Sequence, residues 1–238
     1  MKEQLYTIPV NDAFDADCEC PVCAMYKQLE DNAIDFTMGP SYMEDDNRAV
    51  TDEKGFCYKH IRMLYEQKNR LGLALMLDTH SQKIIRDLKG LSNQKPSSSA
   101  GLFKKAGGAN SVSDYVDALE GKCFVCDRIE DSFSRYIGTI FALWKKDTAF
   151  RAKLTSSKGF CVYHYGMLYK EAPKNLKDNE LNEFLSAVDK VFFDGMTRVN
   201  GDIEWFIDLN DYRNQGADPK NSRDAIPRMI NKTNHFMS

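Results

Sequence analysis

Eight residues of this 238-residue chain form a pattern that could do chemistry. A Cys-x-x-Cys pair, "CPVC" at 20–23, is followed by "GFCYKH" at 55–60. The same order returns as "CFVC" at 123–126 and "GFCVYH" at 159–164. A Cys-x-x-Cys loop brings two sulfurs within reach of one ion. A Cys and a His three apart in the first turn of a helix point to the same side of it. Two such half-sites make a tetrahedral Cys3His set, a standard arrangement for structural zinc. Pairing neighbours along the chain predicts one site from Cys20, Cys23, Cys57 and His60, and a second from Cys123, Cys126, Cys161 and His164. The expected cofactor is zinc, two ions per chain. Gly55 and Gly159 suit a tight turn into each Cys-x-x-His segment. A helix N-terminus there favours thiolate over thiol.

Other chemistries fit less of the pattern. Cys18, in "CECPVC", has no counterpart in the second copy, where Gly121 stands. Four thiolates from Cys18, Cys20, Cys23 and Cys57 could hold an iron–sulfur cluster, but the second copy has three cysteines and would need its histidine as the fourth ligand. Cys18 then reads as a spare thiol or, in the alternative, as the reactive group of a thiol- or iron–sulfur-based redox protein or sensor. A thioredoxin-like use of the Cys pairs needs a βαβ context, which the pattern does not offer. The segment after Cys23 sets Lys27 against Glu30, Asp31 and Asp35 and runs into "MEDDNR", so it would repel phosphate. His-Glu-x-x-His, Gly-x-Ser-x-Gly and Gly-x-Gly-x-x-Gly are absent. A Cys3His site leaves no ligand position for water, so the metals read as structural, and no catalytic or cofactor-binding residue is assigned. A third reading is an enzyme whose site lies between the long helices. Glu44, Asp45 and Asp46 read as a solvated acidic loop, His80 and His235 as ordinary, and "WFIDLNDYRN" at 205–214 as a helix end on the core.

The elements that must position these residues come in two copies. Cys57 matches Cys161 at an offset of 104, with a Lys before each glycine (Lys54, Lys158) and a shared Met-Leu-Tyr downstream. Cys20 matches Cys123 at an offset of 103. An internal duplication at long period is read before anything else, because missing it misassigns the fold. Between the copies, 91–113 is rich in Ser, Gly and Lys, the composition of a flexible linker. The domains expected are 1–90, the linker 91–113, and 114–238. Helical spacing predicts helices over 24–36, 56–88 (buried in its middle) and 127–146, and a short one ended by Pro173. A last long helix carries Leu181, Leu185, Val188, Phe192, Met196, Val199, Ile203 and Phe206 at steps of three and four. The fold class expected is all-α: two pseudo-repeated halves, each organised around its own Cys3His site.

A net charge of −3 gives no reason to expect nucleic acid or an anionic membrane as partner. The longest apolar run, "LGLALML", is too short to span a bilayer. The opening "MKEQLYTIPVNDAF" lacks the apolar stretch of a secretory signal, so a cytoplasmic location with reduced thiols is expected. An unknown protein or small molecule is the partner expected.

"TIPVNDAF" (7–14), "CECPVC", "GPSYMEDDNR" (39–48), "NRLGLALML" (69–77), "CFVCDRIE" (123–130) and "EWFI…DYRN" (204–214) together resemble one uncharacterised bacterial family, a domain of unknown function. The resemblance covers nearly the whole chain apart from the linker. It implies an intracellular bacterial protein with the doubled Cys/His pattern, and it brings no activity, substrate or catalytic residue.

Overall fold

Helix-forming patterns dominate the sequence, and the computed structural model, which describes residues 2–93 and 111–234, bears this out. Among the described residues there are eleven α-helices, three short 3-10 helices and no strand. The helices are α1 (Lys2–Asp15), α2 (Pro21–Met38), α3 (Asp45–Lys54), α4 (Tyr58–Glu66), α5 (Arg70–Ser92), α6 (Ser111–Glu120), α7 (Phe124–Lys146), α8 (Thr148–Ser156), α9 (Val162–Asn175), α10 (Asp178–Asp208) and α11 (Ala225–Asn234). The order of the motif-bearing helices recurs: α2 and α4 begin at the first Cys-x-x-Cys and Cys-x-x-His segments, α7 and α9 at the second. Residues 94–110, most of the expected linker, lie outside the described residues, as does His235.

The compact units do not follow the two halves of the sequence. One unit consists of Met1–Gln28 with Ser132–Ser238, the other of Leu29–Asp131. The boundaries fall inside α2 and α7. The expected division at 90 and 114 is therefore corrected: each unit takes chain from both repeats.

In the first unit, α10 is packed by α8, α9 and α11, and α1 lies on α8. Phe14 of α1 meets the rings of Phe150 and Phe160 edge-on, with centroids 4.9 and 6.3 Å away. Phe184 of α10 packs against Phe141 at 5.0 Å and Trp144 at 5.3 Å. Burying each such ring contributes about 1.5–3 kcal/mol. Asp147 starts α8 by accepting from the N–H groups of Ala149 and Phe150. The turn before Cys161 touches α10 backbone to backbone. A Cβ on Gly159, at φ +97°, would fall 2.4 Å from the Val191 carbonyl oxygen, and one on Gly195 would fall 2.3 Å from that of Lys158. Only glycine permits that approach.

In the second unit, α3 and α4 pack on α5, and α6 lies on α5 as well. Tyr115 of α6 donates to Asp87 at 3.3 Å, and Asp87 also pairs with Lys83 at 2.6 Å. His80 of α5, set aside as ordinary, sits 2.8 Å from the Asp52 carbonyl oxygen through Nδ1 and fills the space where a Cβ on Gly55 (φ +59°) would stand.

Three expectations about helices are revised. The helix expected over 56–88 is broken at Asn69. Its side chain accepts from Gly72 N–H to start α5 and donates to the Met38 carbonyl. The middle of that segment is only partly buried: Leu73 and Met76 are inside, while Leu71 and Leu77 are exposed. Pro173 does not stop its helix but lies inside the last turn of α9. Along α10, Val188, Phe192 and Val199 of the expected stripe are buried, joined by Phe184, Val191 and Gly195, while Leu181 and Leu185 are only half-buried.

Candidate metal centres

Each Cys-x-x-His segment is presented by a helix N-terminus. Cys57 is the cap residue of α4 and Cys161 that of α9, so His60 and His164 fall in the first turn of the same helices. Each Cys-x-x-Cys pair likewise opens a helix, α2 or α7. All eight predicted ligands end in two tight groups, but the pairing is crossed. Cys20 and Cys23 meet Cys161 and His164, while Cys123 and Cys126 meet Cys57 and His60. The sets built from neighbours along the chain are therefore corrected, since each group draws two ligands from each repeat. Each group lies within a single compact unit, the first in Met1–Gln28 with Ser132–Ser238, the second in Leu29–Asp131.

Ligand spacing tests whether a metal fits. A tetrahedral ion with zinc-like bond lengths holds sulfurs about 3.8 Å apart and sulfur about 3.5 Å from nitrogen. In the first group, Cys23 Sγ and Cys161 Sγ are 3.7 Å apart, and His164 Nδ1 is 3.6, 3.3 and 3.2 Å from the sulfurs of Cys20, Cys23 and Cys161. In the second, Cys57 Sγ and Cys126 Sγ are 3.9 Å apart, and His60 Nδ1 is 3.3, 3.4 and 3.3 Å from Cys57, Cys123 and Cys126. A disulfide would need about 2.05 Å between sulfurs, and all seven cysteines are free. The residues fit a four-coordinate cation.

Protonation supports the same reading. Bonds from Cys20 and Cys23 drive the Cys161 thiol far down, while burial pushes Cys20 up to about 12 and the neighbouring Cys161 pushes Cys23 up. In the second group burial opposes ionisation of Cys123, yet the His60 ring and nearby backbone N–H groups bring it down to about 6. Burial and the adjacent thiols raise Cys126. Three thiolates crowded together cannot all ionise unless a cation offsets their repulsion.

The surroundings of the two groups differ. His60 Nε2 lies 3.1 Å from Glu30 Oε1, and the same oxygen pairs with Lys59 at 2.7 Å. The Glu30 side chain is fully buried. Burial opposes its ionisation, but the bonds from His60 and Lys59 hold the carboxyl below its usual range. This is a carboxylate–histidine pair of the kind that fixes a ligand's tautomer. Replacing Glu30 with Gln is expected to lower metal affinity of the Cys57 group about 10–100-fold and leave the Cys161 group unaffected. A chelator-competition titration resolves the two.

At the corresponding place in the other repeat stands Phe133, whose ring centre lies 5.9 Å from that of His164. There the second layer comes from α11. Lys232 is fully buried, and its ammonium donates to the carbonyl oxygens of Glu19 and Lys158, each at 2.7 Å, while facing the Glu19 carboxylate at 3.3 Å. It ties the chain just before Cys20 to the chain just before Cys161. In the Leu29–Asp131 unit the equivalent tie is a backbone bond, Phe124 N–H to the Gly55 carbonyl at 3.0 Å. Pro21 occupies the place of Phe124 and has no N–H to give, so the lysine makes the connection instead. From the sequence Glu30 reads only as one of the acids that would repel phosphate, and nothing there marks Lys232. Glu30 stands seven residues after Cys23, on the same helical face, which is the one signal that was available. Lys232 lies far from any motif.

Other flagged residues stay apart. Cys18 is partly exposed, belongs to neither group, and burial raises its thiol. Glu44 precedes α3 and Asp45 and Asp46 form its acidic first turn, a helix start rather than a carboxylate site. Lys54 pairs with Asp127, and Lys158 with Asp17. Trp205 donates from its indole to the Asp218 carbonyl at 3.0 Å under Lys220. Among the described residues no helix is long and apolar enough to cross a membrane.

Fold and site define a class: an all-α protein with two Cys3His groups able to hold metal ions. The chain belongs to the family of unknown function DUF6062, whose family model matches residues 1–238. It matches no curated protein and no solved structure.

Proposed function

We propose that the protein binds two zinc ions in closed, structural Cys3His sites, and that the metal-clipped helical scaffold is a non-enzymatic binding or adaptor module. The observation that carries this reading is the ligand spacing. Eight side chains from four distant segments bring their ligand atoms within 4.8 Å of one another in two groups, and the separations of 3.2–3.9 Å given above match a tetrahedral ion. With three thiolates and one imidazole on each ion, no position remains for water or substrate, which favours a structural role. The partner is a protein or small molecule, with neither nucleic acid nor membrane engaged, and a reducing cytoplasm would keep the thiols available.

Elemental analysis with an absorption spectrum tests the proposal. Purified protein is expected to carry about two zinc per chain and to be colourless. Visible bands with iron would favour clusters, and metal-free protein with freely titrating thiols would end the zinc reading. Cys18, outside both groups and with its thiol raised, does not favour the redox alternative built on it.

A further inference from the structure

The two groups have the same ligands in unequal surroundings. Cys20, Cys23, Cys161 and His164 are all buried, whereas Cys57 and Cys126 are partly exposed. Backbone N–H groups reach Cys161 from His164 at 3.4 Å and Cys123 from Cys126 at 3.5 Å, which withdraws charge from those two sulfurs. Cys57 caps α4 without accepting such a bond. The polar group nearest each set differs as well, though each is itself ion-paired, Glu30 with Lys59 and Lys232 with Glu19. A buried ammonium, Lys232, stands behind Cys20, while a buried carboxylate, Glu30, backs His60. The Glu30 carboxylate makes His60 the more basic ligand, and the partly exposed sulfurs of Cys57 and Cys126 are the ones a reagent in solution reaches first.

We infer that Cys57 and Cys126 form a modification site for hydroperoxides, at which a two-electron oxidation makes a Cys57–Cys126 disulfide and discharges the metal from that group alone. The inference rests on the metal-bound reading above. One thiolate attacks the peroxide O–O bond, giving a sulfenic acid and, after proton uptake, one water (an alcohol for an organic hydroperoxide). The second thiolate, 3.9 Å away, attacks that sulfur and expels hydroxide, which leaves as water after taking a proton. Two thiolates lose two electrons, the peroxide gains them, and an ion stripped of two of its four ligands departs. Cys123 and His60 remain as an incomplete pair, and reduction by a thiol restores the set.

The test uses wild-type, metal-loaded protein. Hydrogen peroxide is added while released metal is followed with a chromogenic chelator, and samples are mapped by mass spectrometry without reduction. Release is expected in two phases separated by at least about tenfold in rate. The first should amount to half the metal and coincide with a peptide linked through Cys57 and Cys126. N-ethylmaleimide in place of peroxide should label the same two cysteines first. Simultaneous loss of both metals, or first modification at Cys20, Cys23 or Cys161, overturns the inference. Protein that carries no metal at the outset overturns the zinc reading instead, so the two failures are distinct.

Discussion

A variant with Cys23→Ser and Cys161→Ser is expected to retain about one metal ion per chain, whereas one with Cys23→Ser and Cys57→Ser should retain about none. The first pair lies in one group, with sulfurs 3.7 Å apart, so both substitutions disable the same site. The second pair takes one thiolate from each group. If ligands paired with their neighbours along the chain, the outcomes would be exchanged, because Cys23 and Cys57 would then share a site. Metal content after gel filtration reads the result, and circular dichroism shows whether each variant is still helical. The effect is large. A structural zinc supplies about 10–16 kcal/mol of apparent folding free energy in small zinc peptides, comparable with the whole stability of an ordinary domain, about 5–15 kcal/mol. The doubly disabled variant is expected to lose much of its helix signal as well as its metal.

The second prediction uses the chain between α5 and α6. If a protease site is placed between residues 93 and 111 and cut, the two fragments are expected to stay together as one species with both metals bound. A strong chelator should then separate them. Each group takes two ligands from each fragment: Cys20 and Cys23 with Cys161 and His164, and Cys57 and His60 with Cys123 and Cys126. Each unit is also built from both fragments, as α1 lies on α8 and α6 on α5. Association of separate chains costs about 4–15 kcal/mol, which two metal sites at about 10–16 kcal/mol each can offset. Fragments that part while each keeps a metal would show sites closed within one repeat. Size-exclusion chromatography with metal analysis of the peaks distinguishes the outcomes.

Much of the site was legible in the sequence because its chemistry is local. Cys-x-x-Cys at the head of a helix, and Cys-x-x-His in the first turn of another, direct their ligand atoms whatever the rest of the chain does. Gly55 and Gly159 were readable for the same reason, since each takes a positive φ in its turn. The second layer was not readable. Glu30 touches His60 across 30 residues of chain, and Lys232 reaches the Glu19 carbonyl across 213. Polar residues at ordinary helical positions give no sign of burial until the packing is known. The break at Asn69 was missed because its capping role competes with a continuous apolar spacing on both sides.

By itself the sequence determined the helical class, the duplication, the family resemblance and the eight candidate ligand residues. Tertiary structure alone decided which half-sites join. The two copies are chemically alike, so a Cys pair would satisfy a metal equally well with the Cys-x-x-His of either repeat, and no local preference separates the alternatives. Long-range packing separates them. Phe14 sets α1 against Phe150 and Phe160, Asp17 meets Lys158 and Asp127 meets Lys54, and these contacts bring each Cys pair to the other repeat's histidine.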